Sequence, residues 1–147
     1  NGRVLRAEAE ARTTLLDLLR GAGIFGVKAG CGTGRCGACA VLLDGRPVAS
    51  CLTLAVRAQG RTVLTIEGLG TADRPHPLQA AFAEAGASQC GFCTPGLVLG
   101  ARALLEAVPH PSEEEVRDAL AGLCRCTGYA RPTAAVLSAA RAARDDR

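Results

Sequence analysis

The chain predicts an α+β protein made of a strand-and-turn half followed by a helical half. Three observations lead there. Short apolar runs separated by turn signals fill residues 1–70, and proline- and cap-marked helical segments fill residues 71–147. Eight cysteines then fall into two unlike sets of four, one in each half.

The first half reads as follows. Asn1-Gly2 is a hairpin-turn dipeptide, so a strand is expected to precede it in a longer chain, with Val4-Leu5-Arg6-Ala7 as the return arm. Thr14 caps a short helix, with Asp17 three residues on as an acidic capping partner and Gly21 at its end. Gly30, Gly32, Gly34 and Gly37 punctuate the loop that carries the first cysteines. Ala40-Val41-Leu42-Leu43, the turn Asp44-Gly45 and Pro47-Val48-Ala49 form a second hairpin, and Thr62-Val63-Leu64-Thr65-Ile66 forms another strand. A small mixed sheet crossed by one helix accommodates these pieces.

Helical signals take over after Pro75. Pro77 suits a first helical position, and Leu78, Ala81, Phe82 and Ala85 share one face before Gly86. Thr94-Pro95 reads as an N-cap with proline behind it, opening a helix from Gly96 to Val108. Ser112 and Glu115 form a capping box, and the acids Glu113 to Glu115 sit at the positive end of a helix running to about Gly122. Pro132 opens the last helix, through roughly Ala143, and the final Arg-Asp-Asp-Arg reads as a frayed tail. Four helices with short connections imply a bundle.

Cys31, Cys36, Cys39 and Cys51 follow C-x4-C-x2-C-x11-C, which opens with the spacing of plant-type [2Fe-2S] ferredoxins. Cys90, Cys93, Cys124 and Cys126 follow C-x2-C-x30-C-x-C. Four thiolates per set, with none left over, point to two iron–sulfur clusters and an electron carrier. Three thiolates within nine residues require a backbone that wraps closely around one group. The loop glycines permit that wrapping and let N–H groups face the sulfurs. In the second set, Cys93 precedes a helix start, where free N–H groups favour negative charge.

Composition excludes several classes. The formal charge is +3 before any thiol is ionised. Two oxidised clusters of about −2 each would bring the loaded protein to about −1. With no Trp, a single Tyr and no interleaving of basic and aromatic residues, nothing resembles a nucleic-acid surface. No stretch approaches the ~20 apolar residues of a membrane span, and no signal peptide is visible. A cytoplasmic location is expected, with a targeting segment left open because the start looks incomplete.

Other readings of the cysteines are structural zinc, for which paired C-x2-C units are suited, and disulfides, for which Cys124 and Cys126 are too close for an easy mutual bridge. His76 and His110 adjoin prolines and read as exposed loop residues without a role. Arg125, between two cysteines, tunes the site or packs; Lys28 reads as a surface charge. Tyr129 packs against the second site if buried and then needs a hydroxyl partner. Phe92 reads as a core residue shielding the second site.

Three word-like motifs carry a family resemblance. Gly30-Cys31-Gly32-Thr33-Gly34-Arg35-Cys36-Gly37-Ala38-Cys39 with Ser50-Cys51-Leu52 is the first, and Gln89-Cys90-Gly91-Phe92-Cys93-Thr94-Pro95-Gly96 the second. Cys124-Arg125-Cys126-Thr127-Gly128-Tyr129 is the third. In this order they resemble the small iron–sulfur subunit of the xanthine dehydrogenase family of molybdenum hydroxylases.

The resemblance implies a β-grasp ferredoxin domain over 1–70 and a four-helix [2Fe-2S] domain over 71–147. It implies that Cys31, Cys36, Cys39 and Cys51 ligate one [2Fe-2S] cluster and Cys90, Cys93, Cys124 and Cys126 the other. Gln89 would approach a molybdopterin cofactor. Partners would be a large molybdopterin-binding subunit and a medium FAD-binding subunit, assembled as a dimer of heterotrimers. Electrons from substrate oxidation, with water as oxygen source, would run from the molybdopterin through both clusters to FAD. The chain departs from the family pattern before Cys124, where Gly122-Leu123 lacks the usual Asn and shortens the loop. The alternatives are a free-standing two-cluster carrier and a zinc-stabilised interaction domain.

Overall fold

The computed structural model describes residues 1–145. Helix α1 (Leu15–Gly21) is followed by the strands β1 (Ala40–Leu43), β2 (Arg46–Ala49) and β3 (Val63–Leu64). Four helices complete the chain: α2 (Pro77–Glu84), α3 (Thr94–Ala107), α4 (Glu113–Ala119) and α5 (Ala130–Asp145).

The expected cap of α1 forms. Thr14 Oγ1 accepts the Asp17 N–H at 3.1 Å and donates to the Asp17 carboxylate at 2.6 Å, a cap worth about 1 kcal/mol. The helix turns out of its axis slightly later than expected, with Ala22 as C-cap and Gly23 taking the positive φ of 82°. Leu15, Leu16 and Leu19 make its buried face and pack with Val27, Val41, Cys39 and Cys51.

Among the described residues the sheet has three strands in the order β2-β1-β3, and both pairings are antiparallel. It is therefore not the mixed sheet expected. The β1–β2 hairpin turns at Asp44 and Gly45, whose φ values of 49° and 78° suit a turn matched to strand twist. The Asp44 carboxylate accepts the Arg61 Nε–H at 2.7 Å and the Thr62 N–H at 2.8 Å, which brings β3 alongside β1. Strand β3 is shorter than the expected Thr62 to Ile66, because Ile66–Gly68 coils into a single 3-10 turn. Val4 to Ala7 form no strand, and none of the described strands pairs with them.

In the helical half the caps differ in detail from the sequence reading. Ser112 and Glu115 form the expected capping box, but α4 ends at Ala119, short of Gly122. Cys93, not Thr94, is the N-cap of α3, and the Thr94 hydroxyl donates to Ser88 Oγ at 3.1 Å instead. Helix α5 starts two residues before Pro132, which is tolerated because a first-turn residue has no N–H acceptor to lose. It also runs through Arg144 and Asp145, where a frayed tail was expected; residues 146 and 147 lie outside the described residues.

Two cores result. The helical one gathers Leu78, Phe82, Leu97, Val98, Val116, Leu120, Ala135 and Val136 from all four helices. Helix α3 also packs on β1 and β2. Consequently β1 is buried on both faces: Val41 points to α1, while Ala40 faces the start of α3. That double burial sets the first cysteine loop against the helical half.

Candidate metal centres

The first centre is a backbone construction. Gly32, Gly34 and Gly37 take φ values of 68°, 76° and 67°, conformations that favour glycine. Within this wrap the Cys31 sulfur accepts the N–H groups of Thr33 and Cys36, each at 3.4 Å. Thr33, then Cys36, bring the exposed Cys31 thiol down to about 5. Gly30 serves by its size, since a Cβ there would lie 2.7 Å from the Cys36 sulfur. Cys39 and Cys51 lie buried on the α1 core. Buried Ser50 clamps them by donating its hydroxyl to the Cys39 carbonyl at 2.7 Å. Burial, then the adjacent Cys39 thiol, push the Cys51 thiol up.

The second centre is assembled by side chains from two helix connections. Cys90 and Cys126, both exposed, meet with sulfurs 3.5 Å apart. Buried Cys93 meets Cys124. The Cys124 sulfur accepts the Thr127 hydroxyl at 3.1 Å and the Thr127 N–H at 3.4 Å. The Cys124 N–H donates to Tyr129 Oη at 2.8 Å, so the phenol has the partner its half-buried position requires. Tyr129 holds a φ of 66°, the bend that starts α5. Gln89, exposed, donates through Nε2 to the Cys126 carbonyl at 3.2 Å and so ties the two connections together.

The charge pattern differs from the helix-dipole expectation. Burial, then Cys124, push the Cys93 thiol up to about 12, although it caps α3. Burial also opposes ionisation of Cys124, but the Thr127 donors prevail and bring it down to about 7. Cys90 is lowered by the Phe92 N–H and by Cys126, whereas Cys126 is raised by Cys90. In both contacting pairs of this centre one thiol is lowered and its neighbour raised.

Among the described residues no three His, Cys, Asp or Glu side chains close on a point to hold a single ion. The thiols meet instead as pairs, Cys31 with Cys36, Cys39 with Cys51, Cys90 with Cys126 and Cys93 with Cys124. Two pairs of thiols per centre, with backbone and hydroxyl donors on the sulfurs, fit a group containing two metal atoms and needing four thiolates.

Several neighbours behave unlike the sequence reading. Phe92 is 46% exposed rather than core, and its ring reaches 3.7 Å from where a Cβ on Gly30 would sit. His76 is a half-buried helix cap: its Nδ1 accepts the Leu78 N–H at 3.2 Å, with Gln79 completing the box. His110 is exposed, as the sequence predicts, and so is Arg125. Lys28 donates to the Phe25 carbonyl at 2.8 Å. The roles of Ser50 and Thr127 went unread, although a hydroxyl residue beside a cysteine was the available signal.

Comparisons with known proteins agree with this geometry. A 2Fe-2S iron-sulfur cluster binding domain matches residues 1–65, and a [2Fe-2S] binding domain matches residues 65–137. The nicotinate dehydrogenase small FeS subunit of Eubacterium barkeri is 49% identical over 138 residues, covering 92% of this chain and 88% of that one. The nicotine 6-hydroxylase small subunit of Paenarthrobacter nicotinovorans is 50% identical over 141 residues, covering 95% and 85%. Among solved structures, quinoline 2-oxidoreductase from Pseudomonas putida 86 superposes with a TM-score of 0.87 at 45% identity, over 93% of this chain and 87% of that one. Aldehyde oxidoreductase from Desulfovibrio gigas gives 0.92 at 42% identity, over 97% of this chain but only 16% of that longer one.

Proposed function

Since the chain belongs to the small iron–sulfur subunits of the xanthine dehydrogenase family of molybdenum hydroxylases, we propose that it is the electron relay of such a complex. Bound clusters of the [2Fe-2S] type take up and release electrons one at a time, which links a molybdopterin centre in a large subunit, where substrate is oxidised with water as oxygen source, to FAD in a medium subunit.

This chain's own residues divide the work. Cys31, Cys36, Cys39 and Cys51 hold one cluster within segment 1–70, and Cys90, Cys93, Cys124 and Cys126 hold the other within 71–147. The observation that carries this reading is the pairwise meeting of all eight thiols, each set within itself. Thr33, Cys36 and Thr127 donate to sulfur and stabilise negative charge there. Gln89, exposed beside Cys126, faces the pterin of the large subunit. The assembly is a dimer of heterotrimers. It works in the cytoplasm, where thiols stay reduced and available to iron.

Purification of the native complex tests this. The chain should copurify with a molybdopterin-binding and an FAD-binding chain, and carry the iron and acid-labile sulfide of two [2Fe-2S] clusters. A colourless chain without labile sulfide, isolated alone, contradicts it.

A further inference from the structure

Three glycines, one in the first cysteine loop and two in the helical half, bring the two centres together. Gly37 follows Cys36, Gly96 lies three residues after Cys93 in the first turn of α3, and Gly122 lies two before Cys124. A Cβ on Gly96 would sit 2.5 Å from the Gly37 carbonyl oxygen. One on Gly37 would sit 2.8 Å from the Gly122 Cα, and one on Gly122 would sit 3.0 Å from the end of the Leu97 side chain. Bare backbone from both centres is thus in mutual contact. Across the same contact the Leu123 N–H donates to the Cys36 carbonyl at 2.9 Å.

Gly96 is the informative member. It has no positive φ and is buried within an ordinary helix, where glycine is less stable than alanine by roughly 0.5–1 kcal/mol. Conformation therefore does not call for glycine at this position; the approach of the Gly37 carbonyl does. The hydrogen bond likewise joins the backbone of one cysteine of the first centre to the residue preceding one of the second.

We propose that Gly37, Gly96 and Gly122, with the Leu123-to-Cys36 hydrogen bond, form a seam that fixes the separation of the two cysteine centres, so that these glycines are positioning residues for electron passage between them. This rests on the two-cluster reading above.

The test uses Gly96→Ala in the holo complex, with Gly100→Ala as the control. Gly100 lies on the same helix, and its Cβ would press 2.9 Å from the Ala119 carbonyl of α4, away from the seam. Both variants should melt earlier than the parent. With both clusters reduced, Gly96→Ala should narrow the spin–spin splitting between them in electron paramagnetic resonance, while each cluster's own g values and the iron content stay at parental values. Gly100→Ala should leave the splitting unchanged. A parental splitting in Gly96→Ala, or equal narrowing in Gly100→Ala, overturns the proposal. Should Gly96→Ala fail to retain iron, Gly122→Ala decides, because its Cβ would press the Leu97 side-chain end at 3.0 Å and face the Cys36 carbonyl oxygen across the seam at 3.8 Å. Narrowing there supports the seam and an unchanged splitting overturns it. Iron missing from the parent itself would instead remove the two-cluster reading, and the seam with it.

Discussion

Around Cys31 and Cys36 the backbone holds the sulfurs, whereas around Cys124 and Cys126 side chains do. The first loop relies mainly on its own glycines, amides and Thr33, in one stretch of chain, with Cys51 brought in by a hairpin. The second centre needs α3 and α5 already packed, since Gln89 reaches Cys126 and the Cys90–Cys126 and Cys93–Cys124 pairs form only across two separate connections. One centre is thus largely local in sequence, and the other is a product of tertiary structure. Damage to the helical core should therefore reach the second centre before the first.

The largest separation of the two is expected from Phe82→Ala. Phe82 is 2% exposed in the helical core, and its truncation should cost about 3–5 kcal/mol. In urea the variant's second cluster signal should vanish at lower denaturant than its first; simultaneous loss would break the comparison. A smaller effect should follow from Tyr129→Phe. It leaves the half-buried Cys124 N–H without its acceptor, a cost of about 1–3 kcal/mol, and should alter only the second cluster's resonance.

Acid should sharpen the comparison more gently. His76 in the helical half is held below its ordinary 6.5 by burial and then by Arg102. Its neutral, capping form is favoured in the fold, so its contribution is complete above about 6.5 and is lost as pH falls through the lowered folded value. In the first half the Arg61 side chain and then the Thr62 N–H hold Asp44 below 3.8. Glu67 is held below 4.5 as well: burial opposes this, but the Thr65 hydroxyl and Gly26 N–H outweigh it. Those carboxylates contribute above their ordinary values and lose that contribution only as pH falls through the lowered ones. Amide exchange of the metal-free chain during acidification should open α2 before the β1–β3 region.

The contrast also accounts for what could be read from the chain. Features set by neighbours in sequence were legible: the Thr14 and Ser112 caps, the Asp44-Gly45 turn, the cysteine spacings and the division into strand-rich and helical halves. Features set by partners distant in sequence were not. Val4 to Ala7 find no partner among the described strands, and the glycine at position 96 answers to the Gly37 carbonyl far back in the chain. Phe92 sits between two cysteines in the sequence but leans toward Gly30 of the other loop. The meeting of Leu123 with Cys36 had no local signal at all.

The most direct measurement is electron paramagnetic resonance of reduced Cys39→Ser beside the parent. Cys39 belongs with Cys51 on the α1 core, whereas Cys93 and Cys124 belong to the helical core. One of the two cluster signals should disappear while the other persists at near-parental intensity. Equal loss of both, or two signals undiminished, would contradict the assignment of four thiols to each of two centres.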